Sequence, residues 1–151
     1  MKNFLLVAFV LSFCVISSAH AQGFAGSRRL VGTLYKSFDG CGSYGNFPDS
    51  INTDLGVSWV VYVSYIIRDK GERISVPATI NENVVFSTAD SPLYPLNNGG
   101  FLKFDYLIRN MFKRSPSVGK PLVTKFVTFF NNAGQFVCQE TYRGLMSRRR
   151  R

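Results

Sequence analysis

Residues 40–45, GCGSYG, have the G-x-G-x-x-G spacing of loops that wrap the pyrophosphate of a dinucleotide. That chemistry needs a helix opening directly after the glycines, so that its first amides can hold the phosphates. Here Asn46-Phe47-Pro48-Asp49-Ser50 follows, a turn-forming string whose proline breaks such a helix. The glycines read instead as an irregular turn that presents Cys41, and neither a nucleotide nor any other cofactor is expected.

Carboxylates are the next candidates for chemistry, because imidazole is absent where it would be needed. The single histidine, His20, lies in a segment expected to be removed. A chain without histidine runs neither Ser-His-Asp nor Cys-His catalysis and builds no histidine-ligated zinc or copper site. No catalytic residue and no metal ligand is therefore assigned. A carboxylate-dependent enzyme acting on glycans is the alternative, drawing on Asp39, Asp49, Asp54 and Glu140. It requires two carboxyl groups facing each other across a cleft at about 5–9.5 Å. Asp49 and Asp54 share one loop and Asp69 and Glu72 one turn, places that recruit acidic residues for their own geometry. The oxygen-rich DSINTD at 49–54 lacks the D-x-[DN]-x-[DN]-G spacing of a calcium loop.

The histidine leaves with a signal peptide. Lys2, an apolar run from Phe4 to Ile16 and the small-residue site Ala19-His20-Ala21 mark residues 1–21 as a leader cleaved before Gln22. The run is shorter than the roughly 20 residues of a membrane-spanning helix. Phe13 precedes Cys14 where a lipid-attachment site has a small residue, so no lipid anchor is expected. No later segment is apolar for long enough to span a bilayer. The mature chain is thus expected to be secreted or periplasmic.

Export leaves two cysteines, Cys41 and Cys138, an even pair expected to form a disulfide in an oxidising compartment. The chain-entropy treatment assigns about 4–5 kcal/mol to a closed loop of roughly 100 residues.

The formal charge is +9 and becomes +8 without Lys2. Four of the positive charges are Arg148, Arg149, Arg150 and Arg151, and two more are Arg28 and Arg29. A second basic cluster spans 101–125 and includes Lys113, Arg114 and Lys120. These residues are the candidate anion-binding groups, suited to an anionic glycan or a lipid headgroup. Nucleic acid is not expected as a partner of an exported chain without a recognisable binding motif. Tyr35, Tyr44 and Phe47, beside the glycine-rich turn, are candidate binding residues for a protein or sugar partner. Trp59, Tyr62 and Tyr65 sit on so hydrophobic a stretch that they read as core.

The elements that position these groups are strands. A hydrophobic fraction of 46% excludes disorder. Residues 30–38 alternate as a first strand, and 50–54 read as a continuation of the loop. VSWVVYVSYIIR at 57–68 reads as one long central strand, with 73–80 returning as its hairpin partner. Pro77 implies an edge or a bulge there, and an apolar edge near it would suit a structural subunit of a surface assembly. Residues 83–88 form a short strand and 89–100 a long loop. Residues 101–114 fit either a strand face or helical spacing. A hairpin pairs 122–130 with 135–143. The expectation is an all-β domain, an antiparallel sandwich or small barrel over 30–147, with one helix around 101–114 as a variant. Residues 22–29 are expected to be flexible and 148–151 to form a basic tail. The functional expectation is an exported, non-catalytic β-domain that binds an anionic or protein partner. Intact mass of the exported protein should show a chain beginning at Gln22 with the mass deficit of one disulfide. A retained leader or two free thiols would overturn the compartment assignment.

Overall fold

β-branched and aromatic residues alternating with polar ones build a sheet strand by strand. The computed structural model describes residues 26–45, 47–60, 63–112 and 119–149, with the backbone alone at 59, 60 and 63–65. The strands are β1 (Gly26–Asp39), β2 (Ser50–Val60), β3 (Val63–Asp69), β4 (Ile74–Asn81) and β5 (Val84–Ser87). They continue as β6 (Leu93–Pro95), β7 (Phe101–Arg109), β8 (Leu122–Phe130), β9 (Phe136–Leu145) and β10 (Ser147–Arg149).

Eight of them form a closed antiparallel barrel in the order β1-β2-β3-β4-β5-β7-β8-β9, with β1 pairing β9 to complete the ring. β6 lies against β7, and β10 continues on the flank of β1 beyond β9. β1 is therefore shared. Its Arg29–Val31 segment faces β10, and its Tyr35–Asp39 segment faces β9 after a register shift between Lys36 and Phe38.

Side-chain parity follows the pleat. On β7 Leu102, Phe104, Tyr106 and Ile108 are buried in strict alternation. Across the ladder they meet Phe129, Val127, Lys125 and Val123 of β8, also buried. An eight-stranded barrel leaves an interior that side chains can fill, and fully buried Leu30, Leu34, Leu55, Ile67, Tyr106 and Tyr142 are among those that occupy it.

The domain is all-β, and of the two expected architectures it is the barrel. Residues 101–109 are strand, not helix. Three local expectations are corrected. Residues 50–54 are not loop but the start of β2, because Ile51, Thr53, Leu55 and Val57 alternate inward. VSWVVYVSYIIR is not one strand but the end of β2 and all of β3 except Asp69, paired as Val57↔Ile67 and Val60↔Val63. Pro77 makes no edge. β4 is paired by β3 and β5, and the Pro77 carbonyl accepts the Thr88 amide at 3.0 Å, just past the end of β5. An amide missing there breaks no ladder bond, because the β5 pairing covers only Ala78–Asn81 and ends before Pro77.

Both arginine runs also differ from expectation. β1 starts at Gly26, so 26–29 are ordered strand, and 147–149 are the strand β10. The expected leader and residues 22–25, Lys113, Arg114, Arg150 and Arg151, and the side chains of Trp59, Tyr62 and Tyr65, lie outside the described residues.

The seam between β1 and β9 needs a residue without a side chain. A Cβ on Gly144 would collide with the Thr33 carbonyl oxygen and stand 2.9 Å from Leu34 Cδ2. A Cβ on Gly56, in the middle of β2, would meet nothing nearer than the Arg68 carbonyl at 3.9 Å. Gly144→Ala is therefore expected to lower unfolding free energy by about 1–3 kcal/mol, the usual cost of overpacking. Gly56→Ala should be neutral or stabilising by about 0.5–1 kcal/mol. Urea unfolding of the two variants checks the pair, and equal effects would remove the steric account of the seam.

Candidate functional site

The glycine-rich stretch is a turn built around the disulfide. The Asp39 carboxylate accepts the amides of Cys41 at 3.1 Å and Gly42 at 2.7 Å, and Gly42 takes φ of 52°, a conformation glycine adopts without strain. A single 3-10 turn over Gly42–Tyr44 follows, not a helix able to hold phosphates. Cys41 is bonded to Cys138 with their Cα atoms 5.2 Å apart, across a sequence separation of 97 residues. Tyr44 and Phe47 both set their rings edge-on to Phe129, each at 5.8 Å. Of the three candidate loop residues, Phe47 is thus half-buried over the barrel mouth, Tyr44 is partly so, and Tyr35 is fully outside on β1 at 63% exposure.

Ionisable groups enter the barrel at two places. In the first, Lys125 lies in register with Tyr106 on one side and Tyr142 on the other, and parity turns it inward. Its ammonium is fully buried, 3.2 Å from Glu72 and 3.8 Å from Asp69, without hydrogen-bond alignment to either. It also lies over the Phe104 ring at 4.7 Å. Burial pushes this lysine below its ordinary range, against the pull of Glu72 and Asp69. The Tyr106 hydroxyl donates to Asp69 at 2.9 Å.

In the second, the Tyr142 hydroxyl donates to Glu140 at 2.7 Å, and the Lys36 ammonium stands 3.4 Å from Glu140 and 3.3 Å from Asp39. Desolvation opposes the charge on Lys36, but Asp39 and Glu140 together outweigh it and raise its pKa. Sequence reasoning treated Lys125 as one of a solvated basic cluster and missed this interior. The available signal was the alternation V-T-K-F-V at 123–127, which puts Lys125 in phase with Val123 and Val127.

The four carboxylates considered for catalysis are dispersed or engaged. Asp54 lies on the outer face of β2 and is held by a two-pronged pair with Arg29, which depresses its pKa. Glu140 is inside the barrel, and Asp39 shares Lys36 with it. Asp49 is exposed in the loop before β2. Among the described residues no group of three or more His, Cys, Asp or Glu side chains is placed to hold a metal.

Outside, the basic residues regroup. Arg29 is opposite Arg149 on β10 and Gly56 on β2, and Gly56 is opposite Arg68 on β3, so three arginines share one row across four strands. Lys70 and Arg73 flank the row in the β3–β4 turn, where Arg73 takes φ of 52°. Arg29 is neutralised by Asp54. Arg68, Lys70, Arg73 and Arg149 form no ion pair with a carboxylate among the described residues. Arg148 is set apart from this row, since its guanidinium donates to the carbonyls of Asn110 and Met111. The 101–125 cluster is split: Lys103 pairs with Asp105 at 3.4 Å, Lys125 is interior, and Lys120 is exposed before β8.

The buried phenols give a pH test. Burial, and then the adjacent Asp69 or Glu140, raise Tyr106 and Tyr142 above the ordinary phenol range. In the unfolded chain both ionise near pH 10. A raised folded pKa means that their contribution is present below pH about 10 and is lost as pH rises above it. Ultraviolet titration should therefore find Tyr106 and Tyr142 un-ionised until the barrel opens, with Tyr106→Phe and Tyr142→Phe each removing one late-titrating phenol. Seven equivalent phenols would contradict the buried network. No protein-family model, curated protein or solved structure matches this chain.

Proposed function

We propose that the protein is an exported, non-catalytic β-barrel that binds an anionic partner outside the cytoplasm through the face shared by β10, β1, β2 and β3. The observation that carries this reading is the row Arg149–Arg29–Gly56–Arg68 with Lys70 and Arg73 beside it. Like charges on neighbouring strands repel. Asp54 offsets only one of them. An anion laid on the face offsets the remainder, and its counterions are released on binding.

Three further features support the reading. The Cys41–Cys138 disulfide suits an oxidising compartment. The described recesses that adjoin this face open on the outer wall. Asp39, Asp54 and Glu140 are each committed to a lysine or arginine, so the glycan-hydrolysing alternative has no free pair from its own candidates. A protein partner is the second reading, favoured by Tyr35, Phe38 and Phe136 standing 63%, 59% and 64% exposed around the β1–β9 seam.

Retention on immobilised heparin across a salt series tests the first reading. Arg68→Gln and Arg149→Gln are each expected to lower the slope of log affinity against log salt by about one. Lys120→Gln, on another face, should leave it unchanged. Absence of retention at low salt, or equal losses from all three, would overturn the proposal.

A further inference from the structure

The basic face is more than a patch of charge. Between Arg29 and Arg68 the row passes through Gly56, which contributes no side chain, so the guanidinium groups flank a bare stretch of backbone. On either side the floor is small and mostly polar, with Val31, opposite Asp54, standing between Arg29 and Thr33. Ser27 is opposite Ser58 in one direction, and Thr33 is opposite Asn52 in the other, with the Thr33 hydroxyl donating to the Asn52 carbonyl oxygen at 2.9 Å. The Asn52 amide N–H groups therefore still face outward as donors. Two open recesses of about 420 and 390 Å³ adjoin here and share Lys70. The first is lined by Thr33, Asn52, Asp54 and Gly71, the second by Arg68 and Arg73.

Strand spacing gives this face a length scale. Neighbouring strands lie about 4.8 Å apart, so Arg149 and Arg29 are separated by on the order of 5 Å and Arg29 and Arg68 by on the order of 10 Å. Cations repeated at that interval around the barrel wall, over a floor rich in hydroxyl and amide groups, match a linear ligand that alternates acidic groups with neutral hydroxyl-bearing rings. A small inorganic anion would need a single convergent pocket, and a linear polyphosphate would leave the hydroxyl and amide groups of the floor unused. A lipid surface would need several protruding apolar side chains able to enter it, whereas Val31 and Ile66 are half-buried here among serines, threonine, asparagine and glycine.

On these grounds we infer that the face is a subsite for an acidic oligosaccharide carrying sulfate or carboxylate groups, with Arg68, Lys70, Arg73 and Arg149 holding the acidic groups and Gly56, Thr33 and Asn52 forming the bed for the sugar. This rests on the anion-binding reading above and adds the ligand class to it.

Filling the bed without touching a charge separates the two. Gly56→Val places a side chain on the track where an added Cβ meets no atom within 3.8 Å, so the fold should tolerate it. Binding is measured for a heparin hexasaccharide, inorganic polyphosphate and vesicles of anionic phosphatidylglycerol, with far-ultraviolet circular dichroism confirming the barrel in each variant. Gly56→Val is expected to weaken the hexasaccharide by about tenfold, the scale of one misplaced group in a fitted site, and to leave polyphosphate unchanged. Asn52→Ala is the second variant and should act in the same direction, also on the hexasaccharide alone. Undiminished hexasaccharide binding by both variants would overturn the inference. So would a wild-type preference for polyphosphate or vesicles, while leaving the anion-binding reading intact. Failure of the wild-type protein to bind any of the three probes would remove both.

Discussion

At the seam where β1 meets β9, Gly144 lies against the backbone of Thr33 and Leu34, and Asp39 stands opposite Glu140. Closure depends on this contact. It gives β1 and β9 a second neighbour and removes the two edges that an open sheet of this length would present to other chains. The pairing joins segments about a hundred residues apart, a costly encounter for an unfolded chain. Cys41 and Cys138 flank the same seam, so the disulfide restrains the two strands whose association completes the ring.

Closure also creates the interior into which charged groups are drawn. Lys125 occupies an inward position of β8 that alternation assigns to an apolar residue, and it is held there by Asp69 and Glu72. Taking such a group out of water costs several kcal/mol unless partners compensate. The partners are present, but the ammonium has no aligned hydrogen bond, so the arrangement adds little net stability. Stability comes from the apolar layers that surround it, with Val123, Val127, Ile108 and Phe104 buried on β7 and β8. What the charges contribute is a demand for register. A slip of one residue would send Lys125 outward and Thr124 or Phe126 inward, and it would strand Asp69 beside Tyr106 without its cation.

Much of this barrel was legible in the chain. The alternation of β8 and β9 and the hairpin at 131–135 are local patterns, and they gave the pairing of the last two long strands, whereas the residues of β7 fitted strand and helix spacing alike. VSWVVYVSYIIR was misread because an uninterrupted apolar run carries no mark of where a strand reverses; the break needs neither glycine nor proline. The disulfide was legible from cysteine count. The buried ion network was not, since a lysine in phase with valines can be recognised as interior only once the opposing carboxylates of β3 and its turn are known to face it. The arginine row was hidden for a similar reason. Arg28-Arg29 and Arg148-Arg149 looked like two separate ends, and only the β1–β10 pairing sets Arg29 beside Arg149.

The two unlike faces of the barrel wall both descend from β1. Its first half turns Arg29 and Thr33 outward between β10 and β2, where they meet Arg149 and Asn52. Its second half turns Tyr35 and Phe38 outward beside β9, where they meet Arg143 and Thr141. Strict alternation from Tyr35 would direct Phe38 to the same side as Lys36, into the polar rim. The register shift between Lys36 and Phe38 adds one residue, Ser37, whose hydroxyl donates to the Thr141 carbonyl at 3.1 Å. That extra residue resets the parity. Phe38 goes out, and Asp39 is brought level with Glu140 so that both reach Lys36. One bulge thus separates a polar, cationic track from an aromatic surface along a single strand and completes the ion network below them.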